Sequence, residues 1–259
     1  MLSILSAVIL LAYAVSRFVD IPVSELGMQL PGFYLAYEIN IHTIVSVLVA
    51  GLTAAGADML VLEHPALGKK RTVEHWLLPA LTALTLGVPL NQLPVSLEWL
   101  VSFVIGGIIL MLVLVAEYIA VDPGDERFPI ASAGLTAVSY ALFLILAISL
   151  QSAGLRLYLI LPALVLAAAL VCLRTLHLRL KGQWLYLNTF VVTLILTGII
   201  AALHYWPLTP ITFGLLILGP AYSLTSLMGA LSEGQHLRRA LIEPGVVLLV
   251  VSVTAIWIR

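Results

Sequence analysis

Acidic side chains flanked by apolar sequence are the groups in this chain that could do chemistry. Glu117 follows ten apolar residues, 107–116, and precedes Tyr118-Ile119-Ala120-Val121. We expect Asp58 to lie at a similar depth, with hydroxyl groups of a following segment nearby: Ser132, Thr136, Ser139 and Tyr140. Such a carboxylate pair could bind a cation, a proton or a polar headgroup. The alternative is that each carboxylate lies at a helix end and is hydrated by the adjoining loop.

Glu38 and His42 form a second candidate pair, in the stretch Tyr37-Glu38-Ile39-Asn40-Ile41-His42. Residues four apart share one face of a helix, so the two side chains could hydrogen-bond there. The pair could relay a proton, or bind a metal if other helices contributed ligands. Two ligands are too few to predict a metal site. The alternative is that Glu38 lies in the headgroup layer and only orients His42.

A basic cluster, Lys69-Lys70-Arg71, lies between Glu63-His64 and Glu74-His75. Basic residues beside an anionic membrane contribute about 1 kcal/mol each, so this cluster could bind anionic lipid headgroups or phosphate. An inner loop also needs basic residues to fix topology, and that alternative explains the cluster equally well. The acidic and histidine residues of this loop, with His177 and His236 elsewhere, have metal-capable chemistry, but their spacing predicts no metal site.

The composition identifies the elements that must position these groups. Hydrophobic residues make up 62% of 259 positions and charged residues 10%, whereas soluble domains are nearer one half and one quarter. Because roughly 20 apolar residues cross a bilayer as a helix, we predict an all-α polytopic transmembrane bundle of about nine spans, with eight possible. We expect one integral membrane domain over 1–259 and no soluble domain. The predicted spans are 2–19, 36–57, 76–92, 97–119, 129–150, 156–174, 184–204, 208–230 and 241–258.

The distribution of Lys and Arg predicts the orientation of these spans. With nine spans, nine basic residues fall on one side and only Arg17, Arg156 and Arg259 on the other. Because cytoplasmic loops carry the excess of basic residues, we expect a cytoplasmic N-terminus in a multi-pass protein of a bacterial-type inner membrane. Segment 76–92 is the least regular span, since Gly87 and Pro89 could stop or kink its helix. If that segment dipped in and returned, five basic residues would move to the outer side, which the rule disfavours.

Several kinds of site are excluded by their missing residues. The chain has no His-Glu-x-x-His, Gly-x-Ser-x-Gly or Cys-x-x-Cys motif. Its three lysines all fall in predicted loops, which excludes a retinal Schiff base in mid-membrane. A single cysteine, Cys172, excludes an intramolecular disulfide and a Cys-based metal site. The net charge of −1 gives no reason to expect a nucleic-acid partner, and no cofactor is indicated.

Three classes of function remain, in this order of preference. The first is a non-catalytic membrane binding or assembly protein, whose partners are the lipid bilayer, anionic lipid headgroups or other membrane subunits. Pure assembly predicts a packed interior without a polar cavity. The second is a small-solute or proton-coupled transporter, which predicts that Glu117 and Asp58 line a common cavity. The third is a membrane-embedded lipid-modifying enzyme that uses the inner Glu and His residues, with Lys69–Arg71 as a headgroup clamp.

Overall fold

The computed structural model of the chain describes residues 7–12, 14, 24–30, 33–39, 41–68, 72–180 and 182–258. Residues 24–30, 33–39 and 41–43 are described by their backbone alone. Residues 7–12 and 14 are helical and belong to the first predicted span, 2–19, most of which lies outside the described residues.

A β-hairpin precedes the first complete helix. Strand β1, Ser24–Leu30, pairs antiparallel with strand β2, Phe33–Ile39. The predicted start of the second span at residue 36 is therefore wrong, because helix α1 covers Ile41–Leu62. Aromatic residues favour strands, and the intervening Pro31-Gly32 is a turn signal, so local sequence favours the hairpin over an earlier helix start.

Helices make up most of the remaining described chain. A 3₁₀ turn, Val73–His75, precedes helix α2. The helices after α1 are α2 (Leu77–Gln92), α3 (Leu97–Ile119), α4 (Phe128–Ser152), α5 (Leu157–Arg179), α6 (Tyr186–His204), α7 (Pro210–Ser232), α8 (Leu237–Ala240) and α9 (Ile242–Trp257).

Eight helical segments in the described part of the chain are long and apolar enough to cross a membrane. They correspond to the eight predicted spans after the first, which confirms an all-α bundle of membrane-spanning helices. Hydropathy locates these helices well because roughly 20 apolar residues are needed to cross the hydrocarbon core. The chain is therefore an integral multi-pass membrane protein.

Helix α2 is continuous where the sequence suggested an interruption. It runs through Gly87 and Pro89 to Gln92, so neither residue ends the helix before the predicted end of the span. Pro89 lies one turn before the end of the helix, where its carbonyl accepts a hydrogen bond from the Leu93 N–H at 3.1 Å. Helix α7 likewise continues through Pro220. These continuous helices give no support to a broken-helix transporter site.

Two clusters of buried apolar side chains hold the bundle together. The larger joins helices α2 to α7 and includes the fully buried residues Phe143, Leu164, Leu196 and Phe213. The smaller joins the segment at Ile9 to α1, α2 and α3. Many large apolar side chains on the outer faces of the helices are exposed, which is the arrangement expected when lipid surrounds a bundle. The buried charged side chains lie outside these two clusters, near the ends of the helices.

Candidate functional site

The candidate site lies at one end of the bundle, which we call the cavity end. Helices α1, α3 and α5 finish there, and α2, α4 and α6 begin there. Three connecting segments, 63–76, 120–127 and 180–185, contribute residues to this end. In the orientation predicted from Lys and Arg, the cavity end is cytoplasmic.

Three ionisable side chains form a buried network at this end. Glu117, near the end of α3, and Arg174, near the end of α5, are each 1% exposed. Nε of Arg174 donates to Oε1 of Glu117 at 3.0 Å, and Nη2 donates to Oε2. His75 Nδ1 lies 2.7 Å from Oε2 of the same carboxylate. Charges removed from water need close, hydrogen-bonded partners, and this two-point contact supplies them.

The network assigns the ring proton of His75. A carboxylate can only accept hydrogen bonds, and a guanidinium can only donate them. His75 Nδ1 must therefore carry a hydrogen and donate it to the Glu117 carboxylate. Arg174 Nη2 also lies 3.3 Å from His75 Nδ1, but a guanidinium nitrogen cannot accept this hydrogen. This tautomer leaves Nε2 as the ring nitrogen available to the cavity that His75 lines.

A cavity of about 400 Å³ lies against this network. Its polar lining residues are Glu74, His75, Arg174, His177 and Trp184. His177 is 7% exposed, and its buried Nδ1 has no hydrogen-bond partner among the described residues. Its Nε2 lies 3.9 Å from Glu74 Oε1, and its ring centroid lies 4.5 Å from that of Trp184. A buried nitrogen without a partner is costly unless something that enters the cavity satisfies it.

Two side chains that line this cavity have hydrogen-bond donors without partners. Within the described chain, Nη1 of Arg174 and the indole N–H of Trp184 have no hydrogen-bond partner, and the two histidine rings add nitrogens. Glu74 is the one carboxylate among the described lining residues. The lining therefore matches a group rich in acceptor oxygens, such as a phosphate.

Asp58 belongs to a separate group of contacts. Its Oδ1 accepts hydrogen bonds from Thr72 Oγ1 at 2.5 Å and from Trp76 Nε1 at 3.0 Å. Neither Asp58 nor Glu117 is among the lining residues of the cavity of about 400 Å³. The structure thus places the two carboxylates at the same end of the bundle, as expected, but in different hydrogen-bond groups. Asp58 ties the segment before α2 to the end of α1.

The other predicted site residues are only partly described. The expectation that Glu38 and His42 share a helical face is wrong, because Glu38 lies in strand β2 whereas helix α1 begins at Ile41. Their side chains lie outside what is described, so a role for either remains a prediction. Lys69, Lys70 and Arg71 also lie outside the described residues.

Sequence reasoning assigned no site role to Arg174. It considered His75 and His177 as inner-loop residues with metal-capable chemistry, or as residues that a lipid-modifying enzyme could use. The sequence did contain one feature that could have predicted the contact between Glu117 and Arg174. The two residues carry opposite charges, and each lies in apolar sequence where its predicted span reaches the inner side of the membrane. Among the described residues, no group of three His, Cys, Asp or Glu side chains is placed to bind a metal ion. The site therefore consists of an ion pair and histidines around a cavity.

Comparison with known proteins gives one match. The model of a protein family described as "Protein of unknown function (DUF5656)" matches residues 21–258, which is most of the chain. No curated protein and no solved structure matches the sequence or the fold.

Proposed function

We propose that this chain, which belongs to the DUF5656 family, is a membrane protein that binds a phosphate-bearing headgroup in the cavity of about 400 Å³, which we call the headgroup cavity. The observation that carries the proposal is the set of hydrogen-bond donors facing a cavity of about 400 Å³ at a helix-bundle end. Cavities of 300–1,000 Å³ with a few placed polar groups are typical of small-ligand sites.

The fixed position of Arg174 supports recognition of a phosphate oxygen. Glu117 holds the guanidinium at two points, so its free nitrogen is oriented before a ligand arrives. Pre-oriented donors lose little conformational entropy on binding, which favours affinity. Since Glu117 neutralises Arg174, further charge attraction would come from the basic cluster Lys69–Arg71, which lies between the lining residues Leu67 and Glu74 in sequence.

Binding accounts for the cavity better than the other functions do. Pure assembly predicts a packed interior without a polar cavity. Transport through Glu117 and Asp58 predicts that both line one cavity, yet neither is a lining residue of the two cavities described for this chain. We place the site on the cytoplasmic side of a bacterial-type inner membrane, where the basic loop would face anionic lipid. Other membrane subunits remain possible partners of the exposed helix faces.

One observation favours a lipid-modifying enzyme as the second candidate. The contact of 2.7 Å between His75 Nδ1 and Glu117 orients the ring and fixes its tautomer. His75 Nε2 could then take a proton from, or give one to, a headgroup in the cavity. This candidate predicts a change in the mass of a bound lipid with time, which His75→Gln would abolish.

The binding proposal can be tested by native mass spectrometry. The protein is placed in phosphatidylcholine nanodiscs that contain equal amounts of phosphatidic acid and a diacylglycerol with the same acyl chains. Wild type is expected to retain phosphatidic acid over diacylglycerol. A hydrogen bond to a charged group contributes about 1.5–3 kcal/mol, so His177→Asn is expected to reduce the retention of phosphatidic acid roughly tenfold or more.

His204→Asn is the matched control. The buried Nδ1 of His204 also has no described partner, but the residue ends α6 at the opposite end of the bundle. Displacement of the lipid by millimolar inorganic phosphate would show that the phosphate group suffices, whereas retention would show that the lipid contributes. Equal retention of the two lipids by wild type, or equal effects of the two variants, would contradict the proposal.

A further inference from the structure

A second cavity, of about 750 Å³, adjoins the headgroup cavity between helices α4, α5 and α7. The two cavities share Pro123, Phe128 and Leu178 as lining residues. Hydroxyl side chains dominate the polar lining of the second cavity, so we call it the hydroxyl cavity. They include Ser132, Thr136, Tyr140, Thr175, Tyr222 and Thr225.

Two of these hydroxyl groups are buried without a hydrogen bond of ordinary length and angle. Tyr140 is 7% exposed, and its Oη makes no such bond among the described residues, although the hydroxyls of Thr175 and Thr225 lie near it. Oγ1 of Thr175 is buried too and likewise makes no such bond. A hydroxyl removed from water without a hydrogen bond is unfavourable, and lipid hydrocarbon offers no substitute partner. Both groups therefore point to something polar that occupies the cavity.

The other hydroxyls of the lining keep accepting capacity. Thr136 Oγ1 donates to the Ser132 carbonyl at 2.9 Å, and Thr225 Oγ1 donates to the Ala221 carbonyl at 2.7 Å. Each oxygen retains lone pairs after it donates its hydrogen. The cavity thus presents hydrogen-bond donors and acceptors together. A ligand that matches it must itself both donate and accept hydrogen bonds.

The hydroxyl cavity has no uncompensated charge among its described lining residues. Arg179 lines it, but Nε and Nη2 donate to the Glu233 carboxylate at 2.7 and 3.1 Å. Its remaining nitrogen, Nη1, donates to the carbonyl and hydroxyl oxygens of Ser226 at 3.2 and 3.3 Å. An ionic ligand would find no free partner there, so the lining favours a neutral one.

We propose that the hydroxyl cavity binds a neutral polyhydroxylated group, the sugar or polyol part of a lipid headgroup. Hydroxyl groups of the ligand would donate to the accepting oxygens and accept from Tyr140 and Thr175. The rings of Tyr140 and Tyr222, 5.2 Å apart at 67°, add apolar surface against which a sugar ring can pack. This inference goes beyond phosphate binding and stands on different residues.

The test measures the preference for a sugar headgroup. The protein is placed in phosphatidylcholine nanodiscs with equal amounts of monoglucosyl diacylglycerol and diacylglycerol of the same acyl chains, and retained lipid is counted by native mass spectrometry. Wild type is expected to retain the glucosyl lipid preferentially. Tyr140→Phe and Thr175→Val each remove one of these two hydroxyls, and each is expected to reduce the preference roughly two- to tenfold.

Both variants are expected to melt at or above the wild-type temperature, because each removes an unsatisfied buried group. Tyr205→Phe is the matched control, since Tyr205 is 77% exposed at the other end of the bundle. If wild type did not prefer phosphatidic acid, only the phosphate proposal would be contradicted, because the preference for the glucosyl lipid depends on different residues. Equal retention of the two lipids by wild type, or an unchanged preference in both folded variants, would overturn this proposal.

Discussion

Replacing Glu117 with glutamine tests the buried network most severely. The substitution keeps the shape of the side chain and removes its charge. Arg174, which is 1% exposed, would then be a buried cation whose described carboxylate partner is gone. The amide can accept from one guanidinium nitrogen, but its NH₂ group would face donors on both Arg174 and His75.

The expected loss of stability follows from this burial. Removing one partner of a buried ion pair costs about 3–5 kcal/mol, because the other charge stays buried without compensation. Each 1.4 kcal/mol is a tenfold change, so the unfolding equilibrium constant should rise by roughly 10² to several 10³. Arg174→Gln should cost a similar amount. In the double variant two neutral amides can hydrogen-bond, so the loss should fall short of the sum by about 1–3 kcal/mol.

The free energy of unfolding can be measured by titrating the purified protein in mixed micelles with sodium dodecyl sulfate and following tryptophan fluorescence. Glu98→Gln is the matched control, because Glu98 is exposed in the first turn of the same helix, α3. Its interaction with the helix dipole is worth about 0.3–1 kcal/mol. If Glu117→Gln cost no more than Glu98→Gln, or if the two network variants were additive, the buried network would not stabilise the bundle as argued.

Four further variants are checked by the same titration. Gly214→Ala should lower the free energy of unfolding by roughly 1–3 kcal/mol, since a Cβ there would lie 2.8 Å from a side-chain carbon of α4. Gly198→Ala, whose Cβ meets nothing within 4 Å, should raise it by roughly 0.5–1 kcal/mol, and equal effects would refute this packing. The hydrogen bond from Arg179 holds the pKa of Glu233 below its ordinary 4.5, so the stability that Glu233 contributes is complete above pH 4.5 and lost as pH falls through the lowered pKa. Glu233→Gln should remove this acid sensitivity. A pH dependence of stability identical to that of wild type would show that Glu233 is not its source. Gly229→Ala should weaken the same sensitivity, because its Cβ would lie 2.9 Å from Arg179 Cδ.

The membrane-spanning helices could be predicted because their positions depend on local hydropathy alone. The predicted span 97–119 coincides with α3, and the other predicted spans from 76 onward differ from the observed helices by a few residues at their ends. The start of α1 was misplaced because hydropathy averages over the hairpin before it, and β2 is apolar enough to resemble part of a span. Length and apolar content therefore locate helices, but they do not distinguish a strand beside one.

The candidate site was predictable only in part. Glu117 and Asp58 stood out because each is an acidic residue within apolar sequence. Arg174 did not stand out, because basic residues near the inner ends of membrane-spanning helices are expected from the rule that fixes their orientation. Which opposite charges meet depends on how helices α3 and α5 pack, and spacing along the chain contains no information on that contact. The two cavities likewise result from packing between helices distant in sequence.

The central claim is that a phosphate group binds between Arg174, His75 and His177. The most direct measurement is an electron cryo-microscopy structure of the protein in nanodiscs that contain phosphatidic acid. The account predicts density for the phosphate in the headgroup cavity, within hydrogen-bond distance of Arg174 Nη1 and of a ring nitrogen of His75 or His177. A headgroup cavity closed by protein side chains, with the lipid phosphates only in the surrounding bilayer, would contradict it.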